Sequence, residues 1–255
     1  KIRTAYMNGS REILAEAAND KTILAAVMHT NNETGAVYDV ATLSRMVKAK
    51  SPFALVFSDA VQGYLKSPIT PGALGVDLLS LSAHKICGPK GIGALYVKKG
   101  TNLPCRVFGG GQEKGLRSGT ENLPGIIAFG KAAEEGKATF EESCKRMRAI
   151  RNRIREELAD HEKISFNEAK NPSCHILSMT VRSLRSEILL HMLSEKEVFV
   201  SSGSACSSHS GKSPVLQNFG LSQKDADSTI RLSFSRLNTE DEAVEFCRIL
   251  REIIR

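Results

Sequence analysis

Residues 77–97 read DLLSLSAHKICGPKGIGALYV. The apolar run from Asp77 to Ser82 predicts a strand, the cluster Gly88, Pro89, Gly91 and Gly93 predicts a loop, and Ala94 to Val97 predicts a second strand. Ser82, His84 and Lys85 therefore fall at a strand-to-loop junction, where ligand sites of open α/β sheets gather. A lysine whose surroundings keep its amine neutral can form a Schiff base with an aldehyde cofactor. Taken alone, Lys85 also reads as an ordinary surface lysine.

Working outward, Ile23 to Met28 and Ala54 to Ser58 have the same strand character, and all of these runs alternate with helical patterns. That alternation predicts an α/β domain with a mainly parallel sheet. The charged, helix-patterned stretch from Glu121 to about His161 is long enough to join two domains. The expected division is residues 1–140 as a large domain and 141–255 as a small C-terminal α+β domain. The small domain has strands at Ile176 to Val181, Val198 to Val200 and Ile230 to Phe234, and helices near Glu187 to Ser194 and Glu240 to Ile254.

Upstream, LVFSDAVQGY (55–64) puts Asp59 at the end of an apolar run, with Gln62 three residues on. A carboxylate there can pair with the protonated ring nitrogen that pyridoxal phosphate needs as an electron sink; capping of a following helix is the other reading. MHTNNETG (28–35) offers the Asn32 amide to a cofactor hydroxyl or a substrate carboxylate, or else simply forms a turn. GGGQEKGLRSGTEN (109–122) gathers Arg117, Ser118, Gly119 and Thr120 just before a helix, either as a phosphate site or as a plain glycine loop. No dinucleotide fingerprint occurs there.

SSGSACSSHSGKSP (201–214) surrounds Cys206 with small polar residues, and Pro214 opens a helical pattern. Free cysteines are usually buried, so one in such a loop reads as a reactive thiol, with His209 as either a helper or a solvated loop residue. In STIRLSFSR (228–236), the fork of Arg231 is read as holding an amino-acid carboxylate or as one side of a structural ion pair.

Composition bounds the rest. The chain has 35 basic and 28 acidic residues, but the basic ones are scattered, which argues against nucleic-acid binding and leaves room for anionic ligands or acidic protein partners. No apolar run approaches a membrane span. The 6 cysteines lack metal-type spacing, so no metal is expected, and individual thiols suit a reducing, cytoplasmic setting.

Taken together and in order, VMHTNNETG, SDAVQ, SLSAHK, GPKGIGALYV, GGGQEKGLRSGTEN, SSGSAC and IRLSFSR resemble the cysteine desulfurases of the NifS/IscS type, within the class V aminotransferases. The resemblance runs from about Ile23 to the C-terminus. It implies the fold type I of pyridoxal-phosphate transferases: α/β, with a mainly parallel large domain, incomplete here, and a small α+β C-terminal domain. It implies conversion of L-cysteine to L-alanine, with persulfide formed on Cys206. Lys85 is the implied cofactor lysine, Asp59 the partner of the ring nitrogen, and Asn32 and Gln62 the residues around the ring hydroxyl. Ser82 and His84 are the implied phosphate contacts, Thr120 a phosphate ligand given to the other subunit of a homodimer, and Arg231 the grip on the substrate carboxylate.

Sulfur would pass to a partner protein of iron–sulfur cluster assembly or tRNA thiolation. Selenocysteine lyase, another class V aminotransferase and a catalytically silent fragment are the alternative readings. Family members carry roughly 120 further N-terminal residues, an ordinary domain-sized segment.

Overall fold

The computed structural model describes residue 2 and residues 16–202 and 213–255. Cys206 and His209 lie outside the described residues. Contacts divide the chain into two compact units, one of Ala18–His29 with Val40–Thr139, the other including Thr30–Asp39 with Phe140–Arg255.

The first unit holds a four-stranded sheet in the order β1 (Leu24–Met28), β2 (Leu55–Asp59), β3 (Leu78–Ser82), β4 (Gly93–Val97). Strands β1, β2 and β3 run parallel, and β4 returns antiparallel to β3. Helix α1 (Val40–Lys50) buries Val40, Leu43, Ser44 and Val47, the spacing of one helical face, and packs on β2. A short helix α2 (Pro71–Leu74) is capped by Thr70 and stopped by Gly75 at φ 65°.

Asp77, just ahead of β3, ties this layer together. Its carboxylate accepts from Lys48 Nζ at 2.7 Å and from the Val56 N–H at 2.9 Å. Burial pushes this carboxyl up, but the Lys48 hydrogen bond, the Val56 N–H, the Lys48 charge and the Lys98 hydrogen bond outweigh it and hold the group below its ordinary value.

The expected helical stretch from Glu121 is two helices, α3 (Leu123–Ala138) and α4 (Phe140–Leu158). They break at Thr139, whose N–H folds back onto the Glu135 and Lys137 carbonyls. Local charge and apolar spacing are helical on both sides of that residue, so the break is invisible in the pattern.

In the second unit an antiparallel sheet runs β5 (Ile164–Phe166), β6 (Ile176–Val181), β8 (Thr229–Ser233), β7 (Ser201–Ser202). Its core joins α4 side chains Ile150, Ile154 and Leu158 to Leu177, Met179, Ile230 and Leu232 of the sheet. Leu189 and Leu193 of α5 (Ser186–Ser194), with Phe246 and Leu250 of α8 (Glu240–Ile253), complete it. Each such side chain contributes on the order of 1.5–3 kcal/mol on burial. Helices α6 (Pro214–Asn218) and α7 (Gln223–Asp227) precede β8.

The expected strand at Val198 to Val200 is corrected. Those residues carry no ladder, and pairing starts at Ser201, opposite Arg231. After α5 the chain turns through Glu197 at φ 60°, with the Val198 N–H bonded to the Leu193 carbonyl. Val198 and Val200 then pack on the core, while Phe199 is 80% exposed.

Candidate functional site

Asp59 ends β2, and Ser82 ends β3, the strand parallel to it. Their carboxyl ends therefore point the same way, which places Asp59, Ser82 and the residues after them along one edge of the sheet, as strand ends in such sheets generally do for ligands. The chain after β3 enters a tight 3-10 turn, Ala83–Ile86, closed by Cys87 at φ 67°, whose N–H bonds the Ala83 carbonyl. Lys85 is half-buried within this turn. Its carbonyl accepts from Lys66 Nζ at 2.6 Å, and α3 packs against the turn. Ser82 Oγ lies 2.7 Å from His84 Nδ1.

Asp59 does not cap a helix. Residues 60–67 form successive turns, and Asp59 Oδ1 accepts the Val61 N–H at 2.9 Å, a two-residue loop closure of the kind aspartate favours. Gln62 is half-buried in those turns. Beside it, Gly63 lies so close to His29 that a β-carbon would stand 2.4 Å from His29 Nδ1. His29 is buried, and burial holds its pKa below the ordinary value. This histidine directly follows β1, a position that marks it in the sequence as a strand-end residue.

In the loop 109–122, Gly110 N–H donates to Ser118 Oγ at 2.7 Å, Gly119 N–H to Gln112 Oε1 at 3.2 Å, and Gly125 N–H to Asn122 Oδ1 at 3.1 Å. Those amides are satisfied within the loop and at the start of α3. Arg117 and Thr120 are exposed.

Asn32 and Arg231 belong to the second unit, and the fold brings them together. Arg231 Nη1 donates to the Asn32 carbonyl at 2.9 Å, and Nη2 donates to Ser201 Oγ at 3.0 Å. The loop carrying Asn32 is fixed by Asn31, whose Oδ1 accepts the N–H groups of Glu33 and Thr34, both at 2.9 Å. Glu33 and Ser213 were not singled out in the sequence, yet Ser213 Oγ donates to Glu33 Oε2 at 2.6 Å. No spacing rule connects residues so far apart in the chain.

An aminotransferase class-V family model matches residues 4–246, nearly the whole chain. The chain belongs to the class-V aminotransferase family. It is 40% identical over 233 residues to the cysteine desulfurase IscS of Klebsiella pneumoniae subsp. pneumoniae, an alignment covering 90% of this chain and 57% of that protein. The IscS of Salmonella arizonae matches equally, and the chain thus spans little over half the length of these relatives.

Among solved structures, a NifS-like protein superposes with TM-score 0.92 at 32% identity, covering 100% of this chain and 68% of that one. A NifS-like protein from Rickettsia africae ESF-5 follows at TM-score 0.87 and 29% identity, with coverage of 98% and 68%. The fold expected from the motifs, α/β of the pyridoxal-phosphate fold type I, is the one these class-V relatives share.

Pyridoxal phosphate is the general cofactor of this family, and the donor set in the first unit fits it. An amine on a rigid turn, a carboxylate at the neighbouring parallel strand end, and a serine–histidine pair beside the amine are the groups that an aldehyde, a ring nitrogen and a phosphate require. Among the described residues, no cluster of histidine, cysteine, aspartate and glutamate is arranged to hold a metal.

Proposed function

We propose that this chain carries the catalytic residues of a pyridoxal-phosphate-dependent cysteine desulfurase, which converts L-cysteine to L-alanine and forms a persulfide on Cys206. The observation that supports this most is the placement of Asp59 at the end of β2 and of Lys85 in the turn just after the adjacent parallel strand β3, together with the 40% identity to IscS proteins.

When bound, pyridoxal phosphate supplies the electron sink that stabilises negative charge at the substrate Cα and so weakens the Cβ–S bond. Lys85 would hold the cofactor through its Nζ, and the same amine, when free, would accept the substrate Cα proton. Asp59 would pair with the ring nitrogen and favour its protonated form. Gln62 and Asn32 orient the ring hydroxyl, and Ser82 and His84 hold the phosphate. Thr120, exposed on its loop, suits the phosphate contact offered to the second subunit of a homodimer.

Arg231 receives the substrate α-carboxylate through the fork that now bonds neutral oxygens of Asn32 and Ser201. The Cys206 thiolate attacks the substrate sulfur: the S–S bond forms, the Cβ–S bond breaks, and the carbon takes a proton to become the methyl group of alanine. Sulfur then passes to an acceptor protein of iron–sulfur cluster assembly or tRNA thiolation in a cytoplasmic, reducing setting. Among the described residues no helix is long and apolar enough to cross a membrane.

The test is to incubate the chain with pyridoxal phosphate, reduce with borohydride and locate the label by mass spectrometry, then assay alanine release from L-cysteine. Labelling of Lys85, with alanine release abolished by Lys85→Ala and by Cys206→Ser, is expected. Native-rate alanine formation by Cys206→Ser would overturn the mechanism.

A further inference from the structure

One short stretch of chain joins the end of β2 to the turn of Lys85. Asp59 ends that strand, the turns after it carry Gln62, and the Gly63 carbonyl closes the last of them by accepting the N–H groups of Lys66 at 3.0 Å and Ser67 at 2.9 Å. Leu65 sits there at φ 55°, left-handed backbone that a non-glycine residue keeps only when its surroundings hold it. Its side chain lies on α3 where Gly136 leaves room: a β-carbon on Gly136 would stand 2.6 Å from Leu65 Cδ1. The next side chain, Lys66, reaches the Lys85 carbonyl with Nζ at 2.6 Å.

The Lys85 turn uses one of its own carbonyls twice. The Ala83 carbonyl accepts from the Cys87 N–H and from the Gly88 N–H at 2.9 Å, and Cys87 is itself left-handed at φ 67°. The last carbonyls of a helical turn find no partner inside it. For Lys85 a partner comes from outside, a lysine ammonium, so the bond is charge-assisted and stronger than a neutral one. An ammonium carries three N–H donors, and this bond takes one of them. Lys66 is half-buried, where such a bond is worth more than in open water. With α3 packed on the same turn, the backbone of Lys85 is held from two sides.

We propose that Lys66 is a positioning residue for Lys85: by gripping its carbonyl it fixes the turn from which the Lys85 amine meets an aldehyde cofactor, and it ties that turn to the one carrying Gln62. The proposal rests on Lys85 as the cofactor lysine. Attachment condenses the Lys85 amine with the aldehyde carbon and releases one water, and Lys66 takes no part in those bonds. A backbone that is already fixed has less conformational freedom to lose on attachment, so a loosened turn costs attachment while leaving ring and phosphate binding in place.

Lys66→Met keeps the apolar stem and removes the donor. The probes are pyridoxal phosphate, with borohydride trapping and mass spectrometry to measure label on Lys85, and pyridoxine phosphate, which has the same ring and phosphate but no aldehyde. Lys66→Met is expected to weaken pyridoxal phosphate attachment about tenfold while changing pyridoxine phosphate affinity by less than about threefold. Amide hydrogen exchange in peptides spanning residues 83–88 of the cofactor-free chain should quicken by about tenfold as well. Lys66→Arg, which restores a charged donor on a long stem, should return both readouts to within about threefold of the parent.

Lys66→Gln, with a neutral donor on a shorter stem, should fall between the two, and it gives the same reading should Lys66→Met fail to fold. Attachment unchanged on loss of the amine, an equal loss of pyridoxal phosphate and pyridoxine phosphate, unaltered exchange at residues 83–88, or a Lys66→Arg variant as impaired as Lys66→Met would each overturn the proposal. A parent chain in which borohydride leaves no label on Lys85 would overturn the cofactor reading and the proposal with it. A parent labelled at Lys85 and indifferent to loss of the Lys66 amine would overturn the proposal alone.

Discussion

The guanidinium of Arg231 donates Nη1 to the carbonyl oxygen of Asn32 at 2.9 Å, across 199 residues of chain. A strand residue of the antiparallel sheet thus holds the loop that carries Asn32, and the residue proposed for the substrate carboxylate is hydrogen-bonded to one proposed for the ring hydroxyl.

Arg231→Lys keeps the charge but gives up the planar fork that reaches Asn32 and Ser201 at once. Steady-state kinetics should show KM for L-cysteine rising on the order of tenfold or more, with a smaller fall in kcat. An unchanged KM would remove Arg231 from substrate binding.

Asp77→Asn should destabilise the first unit by about 2–3 kcal/mol in urea unfolding, because Lys48 and Lys98 lose their shared anion. The folded pKa of Asp77 is lowered from 3.8, so its contribution is fully present above that value and is lost as pH falls through the lower folded one. Acid titration of stability should accordingly show a smaller loss below pH 3.8 in Asp77→Asn than in the parent.

Gly63→Ala would place its methyl against the buried His29 ring, with a separation of 2.4 Å before relaxation. Overpacking of this kind costs about 1–3 kcal/mol. A lowered melting temperature is expected, and relief by His29→Ala in the double variant would identify the clash as its cause.

Cys247 is buried in the second core, and burial foremost, with Glu157 adding to it, pushes its thiol up to about 12, against the opposing pull of Arg251 and Arg153. Cys87 is exposed. Peptide-resolved alkylation with iodoacetamide at neutral pH should label Cys87 readily and Cys247 only on unfolding, since the thiolate is the reacting species. Fast native labelling of Cys247 would contradict the packing of α8.

Much of the first sheet was legible because its strands are short apolar runs with polar ends, a pattern fixed within five or six residues. β1, β2, β3 and β4 fall within one residue of the expected bounds at either end. The same local logic put Asp59 at the end of one strand and Lys85 just beyond its neighbour. The stretch at Val198 failed for the converse reason: its apolar residues serve core packing, and a left-handed turn at Glu197 decides where pairing begins.

By itself the sequence determined where strands and helices can form, and, through motif order, the family. Local periodicity and residue chemistry carry that information over a few neighbouring positions. Only the tertiary structure decided that Thr30–Asp39 joins the unit of the C-terminal sheet, that Arg231 bonds Asn32, and that Ser213 bonds Glu33. Contacts across 180 and 199 residues depend on how whole elements pack, and no local pattern encodes which distant side chains that packing will bring within hydrogen-bonding reach.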